Sequence, residues 1–94
     1  MRLMLKFAIP PERGNAAAKD GTLGQAIDNL LKATKADAAY FTLVDGKRGG
    51  MVFFEENDVT RLPQLNEPLF AALDAAIEIV PVLTPDELKR GISK

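Results

Sequence analysis

The residues best suited to chemistry in this sequence are five polar side chains that fall within segments of alternating hydrophobicity. They are Lys6, Tyr40, Thr42, Glu55 and Glu78. A lysine ammonium can hold an anionic group, and a tyrosine or a carboxylate can transfer a proton when it lies within hydrogen-bond reach of a substrate. We therefore take these five as candidate ligand-binding residues, and the sequence singles out no catalytic residue among them.

A plainer interpretation of the same residues stays open. Lys6 and Glu78 would form an ion pair at a protein interface, and the Tyr40 hydroxyl would bond to a water molecule or to a carbonyl. Both interpretations require that the elements carrying these residues share one face of a sheet.

The composition narrows the chemistry that these residues could support. The chain of 94 residues contains no cysteine and no histidine. Disulfides, thiolate metal sites and a cysteine nucleophile are thereby excluded. The usual general base, the commonest metal ligand and the usual axial ligand of haem are also missing. We therefore expect neither a metal nor a cofactor.

The charge balance and the N-terminal segment indicate which classes of partner the chain is not expected to bind. The chain has 12 basic and 13 acidic residues, and no basic stripe stands out, which argues against nucleic acid. The apolar run near the N-terminus is interrupted by Lys6 and ended by Pro10. It is too short for a signal peptide or for a bilayer span. We therefore expect no nucleic acid partner, no membrane partner and a cytoplasmic location.

Two regions have the pattern of β-strands. Apolar residues alternate along residues 3–9 and predict a strand that ends at Pro10. The segment YFTLVDGKRGGMVFFEE, residues 40–56, predicts a hairpin, because Asp45-Gly46 suits a two-residue type I′ turn. This turn places Tyr40 opposite Met51, and directly opposed residues share a face.

A helix is predicted between these two regions. Residues 14–24 are rich in turn-forming residues and predict a loop, with at most a short helical turn after Asn15. Thr22 and Gln25 match a capping box, and the apolar spacing behind them predicts a helix that ends near Ala36. The glycines of the loop could let the helix N-terminus bind an anion, although a flexible loop that leads into a capped helix is the simpler explanation.

The second half of the chain predicts a helix, a strand and a short helix. Leucines in residues 62–73 form a helical stripe, within which Pro68 either kinks the helix or makes it restart with Asn66 as a cap. The segment AAIEIVPVL, residues 75–83, alternates as a fourth strand. A capping box at residues 84–87 starts the short C-terminal helix.

The resulting order, β-α-β-β-α-β followed by a short helix, predicts an α+β fold. We expect a single ferredoxin-like domain over residues 1–94: a four-stranded antiparallel sheet with two helices on one face, plus the short C-terminal helix. The first and third strands would be central. A domain of this size buries only about 60–65% of the surface of its unfolded chain, so a partner that covers apolar surface would add stability.

Two helices can cover one face of this sheet, and we expect them to cover the purely apolar one. That face comprises Leu3, Leu5, Phe7, Phe41, Leu43, Val52, Phe54, Ile77 and Ile79. The opposite face, termed the second face, comprises Met4, Lys6, Ala8, Tyr40, Thr42, Val44, Met51, Phe53, Glu55, Glu78, Val80 and Val82. Most of its members are apolar, whereas a solvated face would be mostly polar. Because a large exposed apolar patch usually marks an interface, we expect a second copy of the chain to cover it.

Three segments carry a resemblance to known proteins. RGNAAAKDGTLG (residues 13–24), AAYF (38–41) and PVLTPDEL (81–88) are similar to segments of a group of small bacterial proteins of unknown function. With the element order and the half-apolar sheet, the chain resembles the dimeric α/β barrel superfamily. The resemblance implies two ferredoxin-like chains packed sheet to sheet, with a cavity between or beside the sheets.

Three functions are compatible with these patterns. The first is a homodimer that binds a small ligand in a cavity next to the sheet and performs no chemistry. The second is a cofactor-free enzyme, of the small oxygenase or isomerase type found among dimeric α/β barrels. Several of those enzymes use histidine, so here only tyrosine, lysine and carboxylates could serve. The third is a regulatory or structural module that pairs through its sheet.

Overall fold

The computed structural model describes residues 1–93 and shows an α+β fold with one antiparallel sheet. In chain order the elements are β1 (Arg2–Ala8), α1 (Pro11–Asp20), α2 (Thr22–Thr34), β2 (Ala38–Val44), β3 (Lys47–Glu55), α3 (Leu62–Leu73), β4 (Ala76–Pro81) and α4 (Pro85–Ile92), with a single 3₁₀ turn at Val59–Arg61. The strand order is β2-β3-β1-β4. All three strand pairs are antiparallel, and β1 and β3 are central, as predicted.

The β2–β3 hairpin has the predicted turn and register. Asp45 and Gly46 adopt φ values of 52° and 77°, which are the positive values that a type I′ turn requires. Val44 pairs with Lys47, and Tyr40 pairs with Met51. The register therefore places Tyr40 on the second face, as the turn chemistry predicts.

The core lies between one face of the sheet and the first three helices. Its buried residues form one cluster, comprising Leu3, Leu5, Phe7, Ile9, Ala17, Leu30, Val52, Phe54, Leu65, Leu69, Leu73 and Ala75. Each of α1, α2 and α3 contributes to this cluster, through Ala17, Leu30 and Leu65 respectively. Since the strand residues in the cluster all point to the same side of the sheet, the three helices cover that side and leave the second face uncovered.

Helix α1 corrects the sequence prediction of a loop. The segment Pro11–Asp20 is a ten-residue helix, so three helices rather than two cover the core side. Pro11 occupies the first helical turn, where proline is favoured because its missing N–H has no helical partner there. Gly14 and Gly24 are helical, and Gly21 separates α1 from α2 with φ of 88°. The glycines therefore do not form the anion-binding loop considered above.

The termini of α2 and α3 also differ from the predictions. Helix α2 begins at Thr22, but the Thr22 side chain makes no capping hydrogen bond. The Gln25 side-chain amide donates to Oδ1 of Asn29 at 3.0 Å, so the predicted capping box is absent. Helix α3 continues through Pro68, so Asn66 is an interior residue and not a cap. Pro68 is tolerated because it is exposed, and water can reach the carbonyl that lost its donor.

Helix α4 starts with the predicted capping box. The Thr84 backbone N–H donates to Oε1 of Glu87 at 2.8 Å, and the Glu87 backbone N–H donates to the Thr84 hydroxyl at 3.2 Å. The hydrogen bond from the Thr84 backbone, followed by that from its side chain, lowers the pKa of the Glu87 carboxyl, and the nearby Arg2 guanidinium lowers it further. The ionised carboxylate is therefore part of the helix start.

We expect α4 to lose helix content in acid. Because the pKa of Glu87 is lower in the folded helix than its ordinary value of 4.5, the ionised form stabilises α4 above that value. The stabilisation is lost as the pH falls through the lowered pKa. The ¹³Cα chemical shifts of residues 85–92, followed from pH 6 downward, should report this loss. In Glu87→Gln the loss should vanish, and an unchanged acid transition in that variant would contradict the assignment.

Candidate functional site

The second face is an uncovered surface in this structure. None of its members is buried, although most of them are apolar. Tyr40 and Val80 are exposed, and Met4, Met51 and Phe53 are half-buried by their neighbours on the sheet. The candidate residues predicted from the sequence lie on this surface.

One row of side chains crosses the second face and contains three of the candidates. The register pairs Lys6 with Met51 on one side and with Glu78 on the other, and it pairs Met51 with Tyr40. The row is therefore Tyr40, Met51, Lys6 and Glu78 in order across the four strands. Since neighbouring strands lie about 4.8 Å apart, the backbones of Tyr40 and Lys6 are about 10 Å apart.

Lys6 and Glu78 form an ion pair at the β1–β4 end of this row. Nζ of Lys6 lies 3.9 Å from Oε2 of Glu78, and their side chains are 34% and 68% exposed. At this distance and exposure the pair contributes no more than about 1 kcal/mol. The Lys6 ammonium thus remains accessible to a stronger anionic partner.

Tyr40 stands at the opposite end of the row on the edge strand β2. Its side chain is 63% exposed. Its ring makes an edge-to-face contact with Phe53, with centroids 6.4 Å apart and an angle of 73° between the ring planes. Phe53 pairs with Met4 in the next row toward the β1 N-terminus, so the Tyr40 ring leans to that side.

A second row lies beside the first and has almost no side-chain volume. The register places Thr42, Gly49, Ala8 and Ala76 side by side across the four strands. Gly49 and Ala76 thereby join the second face. We term this row of four small residues the slot; the row of Tyr40 and Lys6 runs along one side of it, and the Val44 side chain lies against it at Gly49. Thr42 contributes the one hydroxyl group among these four residues.

Glu55 lies apart from the other candidates. It pairs with Arg2, four residues along β1 from Lys6, which corresponds to about 13 Å. Its carboxylate lies 3.3 Å from the N-terminal amine and 3.4 Å from Nη2 of Arg2. The structure therefore groups Lys6, Tyr40, Thr42 and Glu78, whereas Glu55 belongs to a separate cluster of charges at the sheet end.

The free edge of β2 is more exposed than the sequence predicts. Phe41 and Leu43 lie on the core side of the sheet, yet they are 51% and 70% exposed. The helices cover the central strands and do not extend over the hairpin end of this edge strand. Phe41 instead contacts Phe7 edge to face, with ring centroids 6.4 Å apart. A groove of about 210 Å³ lies beside it and also contacts Ile9 and Leu23.

A larger groove between α2 and α3 was not predicted from the sequence. It has a volume of about 470 Å³, with Leu30, Leu65 and Leu69 among its apolar lining. Gln25 and Gln64 contribute amide groups at the same groove. The local sequence feature that coincides with the groove is Pro68, which lines it. Proline is unusual inside a helix because it removes a backbone hydrogen-bond donor. The spacing of two helices, which creates the groove, is not encoded in either helix alone.

Comparison with protein-family models, with curated proteins and with solved structures finds no match to this chain. Among residues 1–93, no helix has both the length and the apolar character needed to cross a bilayer.

Proposed function

We propose that this chain is a homodimeric protein of the dimeric α/β barrel kind, and that it binds a small organic ligand with an anionic group. The ligand would lie in the slot formed by the small residues of the second face, next to Lys6 and Tyr40. The observation that supports this proposal is the pairing of two rows on an otherwise apolar surface. One row carries an accessible ammonium and a phenol, and the other is almost free of side-chain volume.

Sheet-to-sheet packing would convert the slot into an enclosed cavity. Packed sheets lie about 10 Å apart, and the side chains between them fill that space. The four small residues have too little side-chain volume to fill the space between the sheets. They would leave an unfilled slot roughly 19 Å long and 7 Å wide. A planar organic molecule fits such a space, and binding sites of this type are mostly apolar with few polar groups.

The polar groups at the slot define the class of ligand. Lys6 would exchange its long contact with Glu78 for a shorter charge-assisted hydrogen bond to a carboxylate or a similar anion. Thr42 would add a hydroxyl group that donates or accepts hydrogen bonds, and Tyr40 would add a second once its ring turned away from Phe53. An anionic head with an apolar body therefore matches the site.

Two further points belong to this proposal. The strand order β2-β3-β1-β4 supports a ferredoxin-like topology extended by α1, in which α2 and α3 are the two crossover helices. A sequence without cysteine is compatible with a reducing compartment, which supports a cytoplasmic location.

The Lys6–Glu78 ion pair favours one alternative, in which the second face serves pairing alone. If the partner chain fills the slot with its own side chains, the ion pair remains and no ligand enters. Native mass spectrometry of protein purified from its own host distinguishes the two. A dimer that carries an additional small mass supports ligand binding, a dimer without it favours the pairing module, and a monomer contradicts both.

We expect Lys6→Gln to weaken the binding of an anionic aromatic probe. With 8-anilinonaphthalene-1-sulfonate as the probe, the loss of one charge-assisted hydrogen bond should raise the dissociation constant about tenfold. Fluorescence titration of the dimer measures it. Tyr40→Phe should have a smaller effect, since it removes a hydroxyl and keeps the ring.

The matched control is Lys19→Gln, which removes an exposed lysine of α1 far from the second face. It should bind the probe like the unaltered protein. If Lys6→Gln and Lys19→Gln give equal dissociation constants, the probe does not use the proposed site and the role of Lys6 is wrong.

A further inference from the structure

Helix α4 extends away from the rest of the molecule. The radius of gyration is 14.5 Å and the longest dimension is 50 Å, whereas a compact domain of this length has a radius of gyration of about 12 Å. None of the residues of α4 is buried. Leu88 and Ile92 are 51% and 72% exposed, and Leu83 just before the helix is 63% exposed. The apolar side of α4 is therefore largely exposed within its own chain.

A helix of this length requires a surface to pack on. Helix α4 has eight residues, and isolated helices shorter than about 12–15 residues are marginal in water. Its capping box stabilises the first turn alone. Leu88 and Ile92 are one helical turn apart, which is the spacing of an apolar stripe that contacts another surface.

The position of α4 indicates where that surface lies. Strand β4 places Val80 on the second face, and the three residues 82–84 connect its end to α4. Nη1 of Arg2 lies 3.9 Å from Oε1 of Glu87. By the alternation of β1, Arg2 is on the same side of the sheet as Met4. The first turn of α4 thus lies beside the border of the second face.

The second face and α4 together set the area that is available for a dimer interface. Four strands about 4.8 Å apart and seven residues long define a plane of roughly 19 × 23 Å, or about 440 Å². A standard interface buries about 800 Å² on each partner. The exposed apolar groups of α4 and of Leu83 would add to the area of such an interface.

We propose that α4 is an intermolecular clasp, in which Leu88 and Ile92 pack against the border of the second face of a second copy. This inference rests on the proposed dimer. A two-fold axis would form the contact twice, so that each chain holds its partner. The clasp would also close the ends of the space between the two sheets, which would restrict how a ligand enters and leaves it.

The test uses the full-length chain with Leu88→Asp and Ile92→Asp combined. Sedimentation equilibrium over a range of concentrations should show that the dimer dissociation constant rises by at least about 30-fold, because two apolar contacts are lost in each copy. The control is Val59→Asp, which places the same charge on an apolar residue that is 55% exposed and lies in the 3₁₀ turn. That variant should dimerise like the unaltered protein.

Amide exchange provides a second measurement that does not depend on the substitutions. In α4 the Leu88 amide bonds to the Thr84 carbonyl, and the Ser93 amide bonds to the Lys89 carbonyl. Both amides should be protected from exchange at concentrations above the dimer dissociation constant and unprotected below it. Equal exchange at both concentrations would overturn the clasp.

The outcomes separate the clasp from the dimer. If the unaltered chain dimerises and the doubly substituted chain dimerises equally well, the clasp is wrong and the sheet-to-sheet dimer stands. If the unaltered chain is a monomer at all concentrations, the proposed dimer is wrong and the clasp with it.

Discussion

Replacing Phe53 with lysine is expected to convert the proposed dimer into a monomer. Phe53 lies on the central strand β3, where it contacts Tyr40 edge to face. In a sheet-to-sheet dimer a lysine at this position would be buried against apolar groups of the partner. An uncompensated buried charge costs about 3–5 kcal/mol, and each such loss of 1.4 kcal/mol raises a dissociation constant tenfold. Light scattering at micromolar concentration should then give the mass of one chain, 10.2 kDa.

The control for this variant is Phe70→Lys. Phe70 lies on the outer surface of α3 and is 41% exposed, so the same substitution there leaves the second face intact. Both variants should remain folded, because neither residue belongs to the buried core. Circular dichroism verifies this before the masses are compared. If Phe53→Lys and Phe70→Lys have the same oligomeric state, the second face is not the interface.

The parts of the fold that were predicted correctly depend on local signals. Asp45-Gly46 determines the hairpin turn, the turn determines the register, and the register assigns Tyr40 and Met51 to one row. The Thr84–Glu87 capping box marks the start of α4 in the same local way. In each case the residues that carry the signal are neighbours in sequence, so no knowledge of distant contacts is required.

The parts that were missed depend on contacts between distant segments. The sequence predicts a loop over residues 14–24 because its glycines and other turn-forming residues are weak helix formers. In the structure Pro11 begins the helix, and Gly14 is the close contact of α1 with Ile9 and Arg48. The exposure of Phe41 depends similarly on how far the helices extend across the sheet, which the alternation of β2 does not report.

The candidate site likewise contains features that the sequence predicts and features that only the structure reveals. The proximity of Lys6 and Glu78 follows from the predicted pairing of the first and fourth strands, and the ion pair is present. The slot was not predicted, since Gly49 and Ala8 have no functional groups and are noticed only once the register aligns them. Glu55 shares a face with Lys6 but not a row, because residues four apart along a strand lie about 13 Å apart.

Gly49→Ala is expected to destabilise the protein severely. A Cβ atom at this position would lie 2.2 Å from the carbonyl oxygen of Phe7 and 2.8 Å from Cγ2 of Val44. The first of these neighbours is backbone of the central strand β1, which cannot move without disturbing the pairing of β1 with β3. Overpacking of this kind costs about 3 kcal/mol, a large part of the 5–15 kcal/mol that typically separates folded and unfolded states. Urea denaturation should show the loss as a lower midpoint.

Gly24→Ala supplies the matched control, because the same methyl group is added where no atom lies within 4 Å. Gly24 is inside α2, and alanine is favoured over glycine in a helix by about 0.5–1 kcal/mol, so this variant should be slightly more stable than the unaltered protein. Opposite signs for the two substitutions would show that the backbones of β1 and β3 approach too closely at Gly49 for any side chain. That close approach, together with the Val44 side chain, leaves no room for a side chain at Gly49. If Gly49→Ala unfolds at the same urea concentration as the unaltered protein, the strands are not so close and the slot could accept a larger residue without cost.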